Sequence, residues 1–426
     1  MNSLVWFKND LRIADNLSLS KACEHTNTIG VYCFDPRQFT HTTFGFKKTE
    51  RYRAKFLRES IKVLAEALRS KNISLLVYFA KPEEVIPHLT AFHKIDSIYV
   101  HSEWTSEELA VNNALKNALP SSVALIESHD NFLFHPQDLP FSTLEELPKV
   151  FTAFRKKCEK YSKVRIPLAA PVPKPKSNLL DQKTKIPSLK ELGLDEFEQD
   201  PRTAFPFQGG EAMGLARLNN YFWETKGIAQ YKKTRNGLIG AAYSSKFSAW
   251  LANGCLSPRT IYASLKEFET EVIKNQDTYW LYFELIWRDF FRYVSLKHGN
   301  SIFKLGGILE RNYDWGREGD HLEKWINGNT PKRFVNANMK ELKHTGFMSN
   351  RGRQNVASFW AKEQKQDWRF GAAYFESMLI DYDVHSNWCN WMYLSGVGND
   401  HRDRKFNIER QAEIYDPEGE YQKQWL

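Results

Sequence analysis

The segment YFELIWRDFFRY (282–293) places Glu284, Trp287, Arg288 and Phe291 at i, i+3, i+4 and i+7. A helix there presents a carboxylate, an indole, a guanidinium and a phenyl ring on one face. Such a face suits a polar aromatic ligand; the plainer reading is a Glu284–Arg288 pair flanking core rings. In YSSKFSAWL (243–251), Ser244, Ser245 and Lys246 precede an apolar helical run. Hydroxyls and free N–H groups at a helix start bind phosphate, and the lysine adds charge; the plainer reading is an ordinary serine cap. Further on, GFMSNRGRQNVASFW (346–360) is followed by LIDYDVHSNWCNW (379–391). Asp381 and Asp383 read as carboxylates at an apolar helix end, where burial demands a partner, and Arg353 is available. The D-x-D-x-x-x-N spacing lacks the glycine and terminal glutamate of a calcium loop, so no metal is expected. Trp315, Trp325, Trp368, Trp388 and Trp391 read singly as core; their number invites a second role.

The elements that must position these groups fall into two kinds. Residues 3–7, 28–34, 73–79, 97–102 and 122–128 are short runs rich in Val, Ile and aromatics, as buried parallel strands are. Helical patterns at 15–25, 49–71, 82–93 and 106–118 separate them, which predicts a doubly wound α/β domain over 1–130. No G-x-G-x-x-G follows the first strand, so a dinucleotide on the usual Gly-rich turn is not expected there. Residues 131–205 break the pattern and include a Pro/Lys-rich stretch read as an extended linker. From 206 to 426 helical periodicity dominates, predicting a large all-helical domain with room for a cofactor between helices.

Composition limits the setting. The net charge of +8 makes a polyanion a fair partner. Five dispersed cysteines without a C-x-x-C pair argue against a disulfide framework or zinc site and for a reducing compartment. No secretory signal or membrane-length apolar run is visible, so a cytoplasmic, soluble protein and a monomer are expected.

Read together, these segments resemble the photolyase/cryptochrome superfamily. VWFKNDLR (5–12) is similar to its W-F-R-x-D-L-R opening. YKKTRNGLIG (231–240), YFELIWRDFFRY, TGFMSNRGRQN, LIDYD and GVGNDHRDRKFNI (396–408) are similar to its DASH branch. The resemblance implies a U-shaped FAD, with Tyr231, Ser244, Ser245, Lys246, Phe247 and Ser248 at its phosphates. It implies Arg288, Asn350, Arg353, Asp381 and Asp383 around the isoalloxazine and ribityl, with Asn387 facing flavin N5. Trp391, Trp368 and Trp315 match the electron-transfer triad, while Trp325 and Trp388 stay as core. Glu284, Trp287, Gln354 and Tyr393 match the lesion pocket, with Arg351 at its mouth on phosphate. In the double-strand repair branch, Gln354 is usually Met and Tyr393 usually Trp. The more polar pocket repays less of the cost of flipping a dimer from a duplex, which implies single-stranded DNA as substrate. HSEWTSEEL (101–109) matches the region of a methenyltetrahydrofolate antenna, with Glu107 on the pterin. Ala153 stands where DASH members commonly carry Gln, which bears on the affinity or identity of the antenna. The implied activity is blue-light repair of cyclobutane pyrimidine dimers; the alternative is a non-enzymatic blue-light receptor with a signalling partner. The chain runs little past the family core, which weighs toward repair.

Overall fold

The computed structural model describes every residue except Lys183, Arg317, Glu318 and His401. His401, within the 396–408 motif, thus lies outside the described residues. Five parallel strands, β1 (Asn2–Phe7), β2 (Asn27–Cys33), β3 (Leu75–Tyr78), β4 (Ser97–His101) and β5 (Ala124–Ser128), form one sheet in the order β3-β2-β1-β4-β5. Alternation along β1 separates its two faces. Leu4 and Trp6 join Ile29, Val31, Ile98 and Val100 against Ile86, Leu89 and Leu115 of the helices Pro82–Phe92 and Ser106–Ala118. Val5 and Phe7 pack on the other face, in the cluster that continues into the helical domain. β5 departs from the buried reading. It pairs only with β4 and is largely exposed, as an edge strand is.

Six helices carry the site: α1 (Phe151–Tyr161), α2 (Gln276–His298), α3 (Gly319–Ile326), α4 (Asn350–Ser358), α5 (Trp368–Met378) and α6 (Val384–Ser395). α1 lies inside the stretch read as linker. Phe151 and Phe154 are buried; Phe151 stacks on Trp287 and Phe154 packs at a tilt on Phe290 of α2, which docks the helix. α2 opens with a capping box at Asn275 and closes against Gly299.

The two domains are joined by buried polar contacts. Arg12 donates to Asn131 Oδ1 (3.0 Å) and to the Gly254 carbonyl (2.8 Å). Arg259 pairs with Asp15 at 2.8 Å, and both are almost fully buried. Gly254 has φ +71°, and a Cβ there would lie 2.0 Å from the Asn9 carbonyl oxygen, so only glycine lets the domains approach this closely. Asp289 of α2 accepts from the Leu133 and Phe134 N–H groups at 3.0 and 2.8 Å. Burial pushes its carboxyl up to about 6.

Candidate functional site

Two cavities meet at the domain joint. The larger, of about 380 Å³, lies inside the helical domain. It is lined by Tyr231, Ser245, Phe247, Ser248, Glu284, Trp287, Arg288, Asn350, Arg353, Gln354, Asp381, Asp383 and Tyr393, and also by Arg235. Thirteen side chains singled out in the sequence thus converge on one cavity, from the short helices Tyr231–Thr234 and Ser248–Ala252, the loop before the latter, α2, α4, α6 and the turn between α5 and α6.

Within it, Arg353 Nη2 reaches both carboxylate oxygens of Asp381 at 2.9 and 2.8 Å, and its Nε donates to the Met348 carbonyl. Asp383 is the N-cap of α6, accepting from Ser386 N–H at 2.8 Å, and it pairs with Arg292 at 2.6 Å. The two aspartates therefore sit between helices and at a helix start, where the macrodipole favours an anion. Burial alone would raise the Asp383 carboxyl, but Arg292, His385 and Arg288 outweigh it and hold the group well below the usual carboxylate range. Arg288 donates to the carbonyls of Asn131 (2.6 Å) and Leu251 (3.2 Å), and burial brings its guanidinium down to about 9. The Glu284–Arg288 pair permitted by their spacing is not formed. Glu284 is instead ion-paired with Arg235, a residue the sequence reading passed over. Enclosure pushes the Glu284 carboxyl up, and Arg235 opposes that shift. Trp287 stacks on Phe151 at 3.7 Å and meets Tyr393 edge-on at 5.9 Å, so one face of its indole is already covered.

Other expectations are displaced. Lys246 does not line the cavity. Its backbone is left-handed (φ +63°), and its buried Nζ lies 3.0 Å from the centre of the Tyr243 ring. Burial lowers its pKa well below the ordinary lysine value. Ser244 also stays outside the lining. Arg217 holds this loop, donating to the carbonyls of Ala241, Ser244 and Ser245 at 3.0–3.1 Å. Asn387 sits on α6 with its amide donating to the Ala372 carbonyl at 2.9 Å; Ser386 and Asn390 line the cavity instead. Arg351 donates to Asn236 Oδ1 at 3.1 Å and packs over Tyr415, beside the lining residue Asn350.

The second cavity, of about 210 Å³, opens beyond the C-terminal ends of β1 and β2 and past β4, where open α/β sheets bind ligands. Trp6, Phe34, Phe39 and Phe56 wall it, and Glu103, Glu107 and Glu108 border it. Glu107 is paired with Lys48 at 2.5 Å. Burial and the neighbouring Glu103 push Glu108 up to about 8. Asp383 and Ala252 line both cavities. Ala153 is exposed on α1 and is not part of this lining.

Trp391 is buried against α5. A Cβ on Gly371 would stand 2.2 Å from its indole, one turn along from Trp368. The bridge Gly316↔Gln366 brings the half-buried Trp315 beside the same region. Gly371→Ala is expected to lower thermal stability by about 1–3 kcal/mol through overpacking. An unchanged melting curve would contradict this contact.

The FAD binding domain of DNA photolyase matches residues 280–426, and the DNA photolyase domain matches residues 3–176. A cryptochrome DASH from Gloeobacter violaceus is 49% identical over 426 residues, covering 99% of this chain and 85% of that protein. The chain belongs to the cryptochrome DASH family. A Synechocystis sp. relative of the same name is 48% identical, over 99% of this chain and 87% of that one. A solved Synechocystis cryptochrome superposes with a TM-score of 0.95 at 47% identity, covering 100% of this chain and 88% of that one. An archaeal photolyase from Sulfolobus tokodaii, described with two FAD molecules, superposes at 0.80 with 27% identity, covering 100% of this chain and 90% of that one. As in its family, the helical domain binds FAD. The residues present fit it: hydroxyls at Ser245 and Ser248, guanidinium groups at Arg288 and Arg353, and an ionised Asp383 to accept from N–H groups. Among the described residues no helix is long and apolar enough to cross a membrane, and no His/Cys/Asp/Glu group fits a metal ion.

Proposed function

We propose that this chain repairs cyclobutane pyrimidine dimers under blue light, preferentially in single-stranded DNA. One observation carries the reading: Glu284, Trp287, Gln354 and Tyr393 line the same cavity as Arg288, Arg353, Asp381 and Asp383. A flipped base entering that cavity would lie against the flavin-binding residues. FAD, when bound reduced and excited by light, supplies the electron that opens the dimer. Trp287 offers the dimer an indole edge, and Glu284 and Gln354 offer hydrogen bonds to its carbonyl oxygens. Because both Gln354 and Tyr393 are polar, the cavity returns less free energy for a flipped dimer than an apolar pocket would. The substrate with the smallest unstacking cost is then favoured.

The test is illumination of the reduced protein with dimer-containing single-stranded and duplex oligonucleotides. We expect faster repair of single strands. No repair of either, with flavin photoreduction intact, would favour the blue-light receptor. Binding should also weaken steeply with salt, because Arg235 lines the cavity and Lys232 and Arg351 adjoin its lining residues Tyr231 and Asn350 in sequence. Single strands lose about 0.7 decades of affinity per decade of salt for each phosphate neutralised. A flat salt titration would remove the phosphate contacts from this reading. We assign the second cavity to a folate antenna bordered by Glu107, testable from the absorption spectrum of purified protein after flavin removal. The five free cysteines suit a reducing compartment such as the cytoplasm.

A further inference from the structure

Among the described residues Trp391 has two ring neighbours, Phe375 at 5.1 Å and Trp325 at 6.1 Å. Trp325 in turn lies 5.1 Å from Trp360, with the planes 34° apart. Trp391, Trp325 and Trp360 come from α6, α3 and the turn Phe359–Glu363, and all are buried to 2% exposure or less. That turn is a π-helix, a rare widening often found at functional sites, and it carries Trp360. Buried indoles usually find an acceptor. Trp325 Nε1 nevertheless has no hydrogen-bond partner among the described residues. Trp368 instead has Trp388 as its ring neighbour, at 5.8 Å.

We infer that Trp325 and Trp360 form an inward branch of the electron path at Trp391, holding the positive charge alternately with the outward route through Trp368 and Trp315. The inference rests on Trp391 as electron donor to the flavin. Trp391 gives one electron to light-excited, oxidised FAD and is left as an indole radical cation. Trp325 then gives one electron to Trp391, restoring it, and the cation passes to the Trp325–Trp360 pair. No bond forms or breaks, and no proton moves. Neither branch indole is hydrogen-bonded to a base among the described residues: Trp325 N–H has no partner there, and Trp360 N–H donates to the Asp367 carbonyl at 2.9 Å. The charge therefore returns to Trp391. Half-buried Trp315 gains solvation that the buried pair lacks, so the outward end holds the charge at long times.

The test follows the indole radical cation by transient absorption after a blue flash on FAD-loaded, oxidised protein. In Trp368→Phe, which closes the outward route, we expect a transient cation that decays without lasting flavin reduction. Adding Trp325→Phe should shorten its lifetime several-fold, and adding Trp360→Phe should shorten it by less. Equal decays in Trp368→Phe and both double variants would overturn the branch. A cation signal persisting in Trp391→Phe would instead sink Trp391 as the donor. FAD content and near-ultraviolet circular dichroism establish that each variant is folded. Should Trp325→Phe not fold, the Trp360→Phe pair decides: a shortened lifetime supports the branch and an unchanged one removes it.

Discussion

Asp381→Ala is expected to yield protein that is mostly flavin-free and markedly less stable. Asp381 is held by both of its carboxylate oxygens on Arg353 Nη2, and its side chain is only 2% exposed. Removing Asp381 leaves Arg353 without its counter-ion; breaking a fully buried pair costs about 3–5 kcal/mol, and with Arg353 24% exposed the loss should lie toward or below the lower end. That is a large share of a net stability of about 5–15 kcal/mol. Two effects then compound. The cavity loses the carboxylate that fixes Arg353, and the folded state loses the mass-action stabilisation that bound FAD supplies. Asp381→Asn keeps the shape and one acceptor, so it should lose less. The ratio of FAD to protein after gel filtration, with thermal melts run with and without added FAD, separates the two contributions. A stoichiometric flavin content and a wild-type melting temperature in Asp381→Ala would place this pair outside the flavin's environment.

The sheet was readable from composition because its central strands are continuous apolar runs, and β1 shows why. Leu4, Val5, Trp6 and Phe7 are apolar on consecutive positions because both faces of the strand are covered. α6 was harder to see. His385, Asn387 and Asn390 interrupt its apolar spacing; His385 and Asn387 turn inward to Ser295 and the Ala372 carbonyl on other helices, while exposed Asn390 donates to the Ser386 carbonyl one turn back. On α2 the face bearing Glu284, Trp287, Arg288 and Phe291 was legible because one helix fixes their spacing. The partner of Glu284 was not, since Arg235 is 49 residues away and reaches it only through the fold. Lys246 shows the opposite failure. The local pattern of serines and a lysine before a helix was real, but a left-handed backbone at Lys246 itself turned the side chain into the protein. Trp325 read as core and is core. What sequence spacing cannot convey is that three indoles from three segments meet at Trp325.

Glu284→Ala is expected to lower repair per photon while FAD content stays near normal. The carboxyl lines the same cavity as Asp381 and Arg353 but takes no part in their pair, so flavin retention should not depend on it. As a protonated acid it can donate to a dimer carbonyl as charge builds there after electron transfer. Loss of one such donor costs about 3 kcal/mol of transition-state stabilisation in hydrolytic enzymes. Here ring opening competes with electron return, so the loss in quantum yield should be smaller than that figure implies. The proton is the deciding variable. Enclosure raises the Glu284 pKa above the ordinary glutamate value, while Arg235 pulls it back down. A donor with a raised pKa is fully present at low pH and is lost as pH rises through that pKa. Repair per bound flavin at saturating substrate should therefore fall with rising pH in the wild type. It should be flat in Glu284→Gln, whose amide donates at every pH. Arg235→Ala removes the opposing charge, so the midpoint of the wild-type fall should move to higher pH in that variant. If Glu284→Ala repairs normally per bound flavin, or if the midpoint stays fixed in Arg235→Ala, Glu284 and Arg235 are a structural pair at the cavity wall and the lesion takes its hydrogen bonds elsewhere.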